Sequence, residues 1–327
     1  MYNVKYISIH KGSGFVADKK ETYFLAIDIG GSKIAAGIVD MRGNILSKHA
    51  RKIPDGLNED KNKLFELVFD LAQKAMDEAG DIEIAAAGAA IPGICDDKNG
   101  IWVYSPFSGI KNVPAAKIIG QKLGLKTFIA NDVNACAYAE KVFSHETLHD
   151  YLWITVSNGI GGGLVLGGKL YEGAFGHAGE IGHVTVVEEG ELCGCGKRGC
   201  LEAYASGASI VRRYKEKTGY PFDITAHEIA SLAMCGDESA IEIYNFAGYC
   251  LGKAIAMAIN LLNLKKVIIG GGVSGSLDLL MPKINETVRK QVFMSANTNL
   301  EIQKTKLGYD AALLGAAAIA QKGINRR

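Results

Sequence analysis

Long apolar runs are missing from this sequence. The two longest, near Ala254–Leu264 and Ala311–Ala320, fall short of the roughly 20 residues a membrane-spanning helix needs, and the first is interrupted by Asn260 and Asn263. No membrane segment is predicted. Net charge is nearly absent too: 36 basic against 35 acidic side chains leave +1, so no global field recruits nucleic acid or an anionic lipid surface. Proline is scarce, with 6 in 327 residues, and no Pro-rich or low-complexity stretch marks a linker. The first 22 residues are polar and glycine-punctuated, without the roughly 7–15-residue apolar core of a signal peptide. They read as an N-terminal extension, and the expected location is the cytoplasm.

Cysteine is neither absent nor paired in number. Seven cysteines in a chain of intracellular character argue against a disulfide framework. Cys95, Cys136, Cys235 and Cys250 are scattered and read as small buried apolar residues. The other three, Cys193, Cys195 and Cys200, crowd together downstream of His183.

What the sequence has in quantity is glycine, 40 residues of it. The run FLAIDIGGSKIAAGIVD, Phe24–Asp40, reads as strand, Gly-Gly turn, strand, and YLWITVSNGIGGGLVLGGKL, from Tyr151, repeats the theme. Two similar half-domains are expected. Between them lie a helical pattern around Asn62–Gly80, a buried strand over Ile82–Ile94 with a Pro-Gly turn, a helix at Ala115–Leu123 and a strand at Lys126–Ala130. Beyond them, helical runs surround the strand Lys266–Ile269 and its Gly270-Gly271-Gly272 turn, and a last apolar helix covers Ala311–Gln321. Strands alternating with helices predict an α/β fold with a ligand cleft where the halves meet.

Three glycine turns carry candidate chemistry. In Asp28-Ile29-Gly30-Gly31-Ser32-Lys33, glycines let main-chain N–H groups approach a phosphate, and the aspartate suits a magnesium-bound water; a hairpin needs such glycines in any case. Ser157-Asn158-Gly159-Ile160-Gly161-Gly162-Gly163 is denser than a hairpin requires, and Gly270-Gly271-Gly272-Val273-Ser274 follows a strand and precedes a helix. Together they point to a nucleotide. Asn131-Asp132 closes a strand, where α/β enzymes display reacting groups. The pair could supply a general base for phosphoryl transfer or simply cap the next helix.

His183, Cys193, Cys195 and Cys200 make a Cys3His set, which suits a closed, structural tetrahedral zinc site better than free thiols or a disulfide. Gly194, Gly196 and Gly199 supply the turns, and Lys197 and Arg198 would offset thiolate charge. Such a site would fix Glu180 and Glu202 at the ends of one loop, as hydrogen-bond acceptors for a polyol. His177 in that loop reads as an exposed histidine.

From Phe24 to Ala320 these stretches resemble the ROK family of sugar kinases and sugar-responsive repressors, through the three glycine turns, Asn131-Asp132, Gly179-Glu180-Ile181-Gly182-His183 and Cys193-x-Cys195-Gly196-x-x-Gly199-Cys200-x-Glu202. The resemblance implies an actin-like ATPase fold of two ribonuclease-H-like domains. Their expected bounds are 23–131, joined by a returning helix at about 308–327, and 132–307, which carries the zinc loop 183–200. It implies Asp132 as general base on a sugar hydroxyl, usually the 6-hydroxyl, with Gly93, Asn131, Glu180, His183 and Glu202 about the sugar. It also implies ATP with Mg2+ held by Asp28, Gly30, Gly31, Ser32, Lys33, Asn158, Gly159, Gly161, Gly162, Gly270, Gly271 and Gly272, a structural Zn2+, and a homodimer or homotetramer.

Two departures stand out. The family's Gly-Thr-Gly turn is Ser157-Asn158-Gly159 here, so the Asn158 amide would replace a threonine hydroxyl. Where many family kinases carry an Asn-Leu pair against the sugar, this chain has Tyr104-Ser105-Pro106-Phe107-Ser108-Gly109. The expected activity is glucokinase-like hexose phosphorylation, with N-acetylhexosamine phosphorylation as the alternative and a non-catalytic sugar-binding protein as a third reading. A repressor would need an N-terminal winged helix-turn-helix of roughly 60 residues, and 23 residues precede the first expected strand.

Overall fold

Two five-stranded sheets repeat one topology in the computed structural model, which describes residues 21–54, 60–105, 108–146, 148–293 and 299–325. Most of the N-terminal extension, and Pro106 and Phe107 of the departing segment, lie outside the described residues. The first half contributes β1 (Tyr23–Ile29), β2 (Lys33–Asp40), β3 (Ile45–Lys52), α1 (Lys61–Ala79), β4 (Ile84–Ile91), β5 (Ile94–Asp96), β6 (Ile101–Tyr104), β7 (Lys111–Val113), α2 (Ala115–Leu123) and β8 (Thr127–Asn131). α3 (Asp132–Phe143) follows, then β9 (Tyr151–Val156), β10 (Ile160–Leu166), β11 (Lys169–Tyr171), α4 (Glu202–Ala205), α5 (Gly207–Thr218), α6 (Ala226–Met234), α7 (Glu238–Leu262), β12 (Lys266–Gly270), α8 (Leu277–Gln291), β13 (Glu301–Lys304) and α9 (Ala311–Asn325). The strand orders are β3-β2-β1-β4-β8 and β11-β10-β9-β12-β13. In each, two antiparallel pairs precede two parallel ones. The glycine hairpins are therefore the first turns of two equivalent units, as the repeated sequence theme implied.

Side-chain alternation along the strands decides what each face meets. Leu25, Ile27 and Ile29 pack with α1, α2 and Trp102, whereas Phe24 and Ala26 face α3 and α9; Asp28 shares the latter face by its register. On β9, Leu152, Ile154 and Val156 join the core under α4–α8, while Tyr151 and Trp153 meet Cys136 and Ala137 of α3. α3 is thus shared: its Ala135, Ala139 and Phe143 belong to the first sheet's core and its Cys136 and Ala137 to the second's. Residue 131, the expected end of the first domain, is the last residue before this shared helix.

Helix ends follow their local chemistry. Asp60 caps α1 through its side chain, and α1 stops at Gly80 with φ 76°. Thr225 and Glu228 form a reciprocal capping box on α6. Of the scattered cysteines, Cys136 and Cys250 are buried as expected and Cys95 is partly so, but Cys235 is exposed, because it ends α6 just before Gly236 turns the chain at φ 95°. α7 is long and apolar enough to cross a membrane by length and composition, yet half of its most apolar window is buried, with Gly248 and Gly252 of α7 seated on α8.

β4 reads IAAAGAAI because α9 crosses it closely. A Cβ on Gly88 would fall inside the van der Waals envelope of the Ala316 carbonyl. Gly88→Ala should therefore force α9 off the sheet, at about 3 kcal/mol and a melting temperature lower by about 5 °C. An unchanged melting temperature in thermal unfolding would contradict that contact.

Candidate active site

Asp28 and Asn131-Asp132 come together because they sit at the carboxyl ends of β1 and β8, whereas Glu180, His183 and Glu202 are brought by the cysteine loop. Asp28 precedes the first hairpin, whose Gly30 N–H donates to the Lys33 carbonyl at 2.9 Å and leaves Gly31, Ser32 and Lys33 exposed. The Asp28 carboxyl is pushed up to about 7 by burial and then by the charge of Asp132, with Lys33 pulling the other way. Asp310, paired with Lys48, adds to the same field. Nothing in the sequence flagged Lys48 or Asp310; only the fold brings β3 and the start of α9 to Asp28.

Asn131 and Asp132 are both cap and candidate reacting group. Asn131 Oδ1 accepts from the N–H groups of Val133 and Asn134 at 3.1 and 3.0 Å, while its Nδ2 donates to the Gly93 carbonyl at 3.0 Å and to Asp132 Oδ1 at 3.1 Å. Both donors and both acceptor positions of this amide are engaged. Asn131 therefore orients Asp132 and the Pro92-Gly93 turn. Asp132 Oδ1 also accepts from Val133 N–H at 3.0 Å, at the positive end of α3. Burial nevertheless lifts its carboxyl to about 6; the Val133 and Asp132 N–H groups oppose the shift and the charge of Glu180 adds to it.

Glu180 reaches this point from the cysteine loop, which the structure folds into a cage. The donor atoms of His183, Cys193, Cys195 and Cys200 all lie within 4.8 Å of one another. His183 Nδ1 stands 3.7 Å from Cys193 Sγ, and the sulfurs of Cys195 and Cys200 are 3.6 Å apart. That spacing is too long for a disulfide and close to the roughly 3.7 Å edge of a tetrahedron with about 2.3 Å Zn–S bonds. The cage is built by backbone: Cys193 N–H donates to Lys197 O at 2.8 Å, Gly196 N–H to Cys193 O at 2.9 Å and Gly199 N–H to Glu191 O at 2.9 Å. Gly196 and Gly199 have φ of 86° and 79°, which favour glycine. Four protein donors of this kind fit structural zinc and leave no open position. Lys197 lowers the Cys195 thiol through its backbone N–H and its charge, as expected, but Arg198 turns away to the Gly190 carbonyl at 3.1 Å.

With Nδ1 facing the thiols, His183 presents Nε2 to Glu180 Oε2 at 3.9 Å. Glu202 is less free than the sequence suggested: its Oε2 accepts from Ile160 N–H at 2.8 Å and lies over Gly159. It staples the second glycine turn to the cysteine loop. His177 is exposed, as expected.

The glycines of the second and third turns divide into two kinds. Asn158 and Gly272 present exposed backbone, and Gly271 has φ 86° with Val156 O 2.5 Å from where a Cβ would lie. Gly161 and Gly162, read as nucleotide contacts, owe their identity to packing: Val133 of α3 presses on Gly161, and the Gly179 carbonyl and Ile181 press on Gly162. Gly270 likewise makes room for Trp153. Two surface hollows, of about 310 Å³ beside Phe65 and Phe69 and about 490 Å³ beside Arg213 and Phe246, contain none of these groups.

Residues 24–323 match the ROK family profile. The glucokinase of Streptomyces coelicolor is 32% identical over 317 residues, covering 91% of this chain and 97% of that one. The xylose repressor of Caldicellulosiruptor bescii is 30% identical over 309 residues, covering 90% of this chain and 77% of the repressor. Among solved structures, the ROK glucokinase of Streptomyces griseus in complex with glucose and AMPPNP superposes with a TM-score of 0.82 at 31% identity, covering 92% of this chain and all of that one. The repeated sheets are those of the actin-like ATPase fold.

Proposed function

The chain belongs to the ROK family, and from that premise we propose that it transfers the γ-phosphoryl group of ATP to the 6-hydroxyl of a hexose, with glucose as the first candidate. One observation carries the reading: the buried Asp132 carboxylate stands at the N-terminus of α3, aimed by Asn131, and its charge is coupled to those of Asp28 and Glu180. A hydroxyl presented by the Glu180 side would lose its proton to Asp132 as its oxygen attacks the γ-phosphorus. The bond to the ADP oxygen breaks and ADP departs. Asn131 keeps the base aimed, Glu180 and His183 Nε2 take sugar hydroxyls, and Glu202 joins them through its free lone pairs, with the Gly93 turn closing the side of the sugar.

The turns at Gly30-Gly31-Ser32, Asn158-Gly159 and Gly271-Gly272, exposed at Gly31, Ser32, Asn158 and Gly272, suit the phosphates, with Lys33 as countercharge. Asp28 and Asp132 offer hard oxygen donors in each other's field, a setting that suits the magnesium carried with ATP; the ion supplies neutralisation of phosphate charge. Zinc held by His183, Cys193, Cys195 and Cys200 supplies fixed geometry alone. The partners in this reading are a sugar and a nucleotide in the cytoplasm, not DNA or a membrane. Phosphorylation of an N-acetylhexosamine is the second reading, favoured by the Ser105–Gly109 segment, where the buried Ser108 hydroxyl has no hydrogen-bond partner.

ADP release from protein with magnesium and ATP, in parallel with glucose, mannose, fructose, N-acetylglucosamine, N-acetylmannosamine and no sugar, tests both. Turnover is expected with glucose at least about tenfold above the other hexoses. Turnover with an acetamido sugar alone would select the second reading. A flat response from zinc-containing protein, together with sequence-specific DNA binding in a gel shift, would replace the kinase by a repressor.

A further inference from the structure

Tyr309 is a large aromatic residue that joins no hydrophobic core cluster of the described residues. It is 76% exposed, yet its position is fixed from three directions. The segment leading to it is bonded to the strand before the third glycine turn, through Thr305 N–H to Ile269 O at 2.9 Å, and to α3, through Thr305 Oγ1 to Glu140 Oε2 at 2.7 Å. The residue after it, Asp310, pairs with Lys48 and acts on Asp28 beside the first glycine hairpin. The Tyr309 hydroxyl itself lies over Gly275, 2.7 Å from where a Cβ would stand. The ring thus stands at the rim between the first and third glycine turns of the proposed site, its hydroxyl edge against Gly275 and the rest open.

An exposed aromatic ring gains nothing from folding, since it stays in water. It gains when a second flat apolar surface covers it. Bases stack on aromatic side chains because every base offers a flat π-face, and a nucleotide whose phosphates sat on Gly30–Gly31 and Gly271–Gly272 would have its base beyond the turn that Tyr309 abuts. We propose that Tyr309 forms one wall of the nucleotide-base site and stacks on the purine ring. The assignment rests on the kinase reading in that it requires a nucleotide at the third glycine turn. Because Tyr309 contacts the base and not the phosphates, it should set affinity for the donor without touching the transfer step.

Calorimetric titration of the zinc-containing protein with ATP, and separately with tripolyphosphate, which carries the charge but no base, tests the assignment in wild type, Tyr309→Ala and Tyr309→Phe. The Ala variant should weaken ATP about tenfold, the Phe variant should stay within about twofold, and tripolyphosphate and sugar affinities should be the same in all three. Unchanged ATP affinity in the Ala variant overturns the proposal and leaves the kinase reading standing. Equal weakening of ATP and tripolyphosphate also overturns it, since Tyr309 would then merely shape the Gly275 turn. A wild-type protein that binds sugar but no ATP overturns this assignment and the kinase reading together.

Discussion

Asp132→Asn is expected to lower kcat by about 10²–10⁴-fold while sugar affinity stays near wild type. The substitution keeps shape and most of the local bonding. An asparagine oxygen can still accept from Val133 N–H and from Asn131 Nδ2, so α3 remains capped and the Gly93 turn stays in place. Only the capacity to take a proton is lost. The wild-type carboxyl, raised to about 6, must be ionised to act, so kcat/KM should rise through pH 6 to a plateau, with Asp28 at about 7 extending the acidic limb. Asp132 is itself the first charge that raises Asp28, so the variant's residual activity should show that limb moved to lower pH.

Stability should move against activity. A folded-state value above the usual 3.8 means that ionising Asp132 disfavours the fold; that penalty is complete above about pH 6 and is relieved as pH falls through it. At pH 8 the variant should therefore melt no lower than wild type. A dead and destabilised variant would indicate collapse of the α3 cap, and an unchanged kcat would mean that Asp132 is not the base.

The sequence made the central strands legible and the edges illegible, for a physical reason. β1, β4, β9 and β12 are buried on both faces and read as apolar runs ended by glycine turns, which is why the repeat in the two halves was visible. β3 (ILSKHARK) and β13 (EIQK) are edge strands, where few positions need to be apolar: Ser47 is the buried residue of β3, and in β13 Ile302 alone packs against the core. The three-stranded sheet of β5, β6 and β7 meets the core through Trp102 and Val113, the Trp102 indole N–H donating to the Pro92 carbonyl at 2.9 Å, and no periodicity announces it. In the site, spacing could pair Cys193, Cys195 and Cys200 with His183, since the loop is local. It could not tell that Asn131 is fully engaged as a cap, nor that Val133, 28 residues upstream of Gly161, is what makes that position a glycine. Tyr309 and Asp310 gain their meaning only from the return of the chain to Asp28.

Loss of the proposed zinc should separate sugar binding from nucleotide binding. Cys195 is the apt position for the test, because it is exposed whereas Cys193 and Cys200 are buried, so Cys195→Ser removes a ligand without opening a cavity. The variant should lose the one zinc per chain expected of the wild type in elemental analysis. Without it, the 3.7 Å approach to Cys193 is the contact left to His183 Nδ1 among the described residues, and the Nε2 that faces Glu180 loses its orientation. Sugar affinity should fall about 10–100-fold, by analogy with the loss of activity when a residue supporting a metal ligand is removed.

Donor affinity should hardly change. The third glycine turn is set by Gly271 against Val156, and the loop remains attached to the core by Leu201, buried beside Tyr204, and by Lys253 Nζ on the Val186 carbonyl. Calorimetry with the responsive sugar and with ATP reads the two effects on one sample. Zinc-free protein with undiminished sugar affinity would show that the loop is rigid on its backbone bonds alone, and that the Cys3His cage serves something other than the sugar. Parallel loss of both ligands would place the metal under the whole cleft, with Glu202 on Ile160 as the link through which the cysteine loop reaches the second glycine turn.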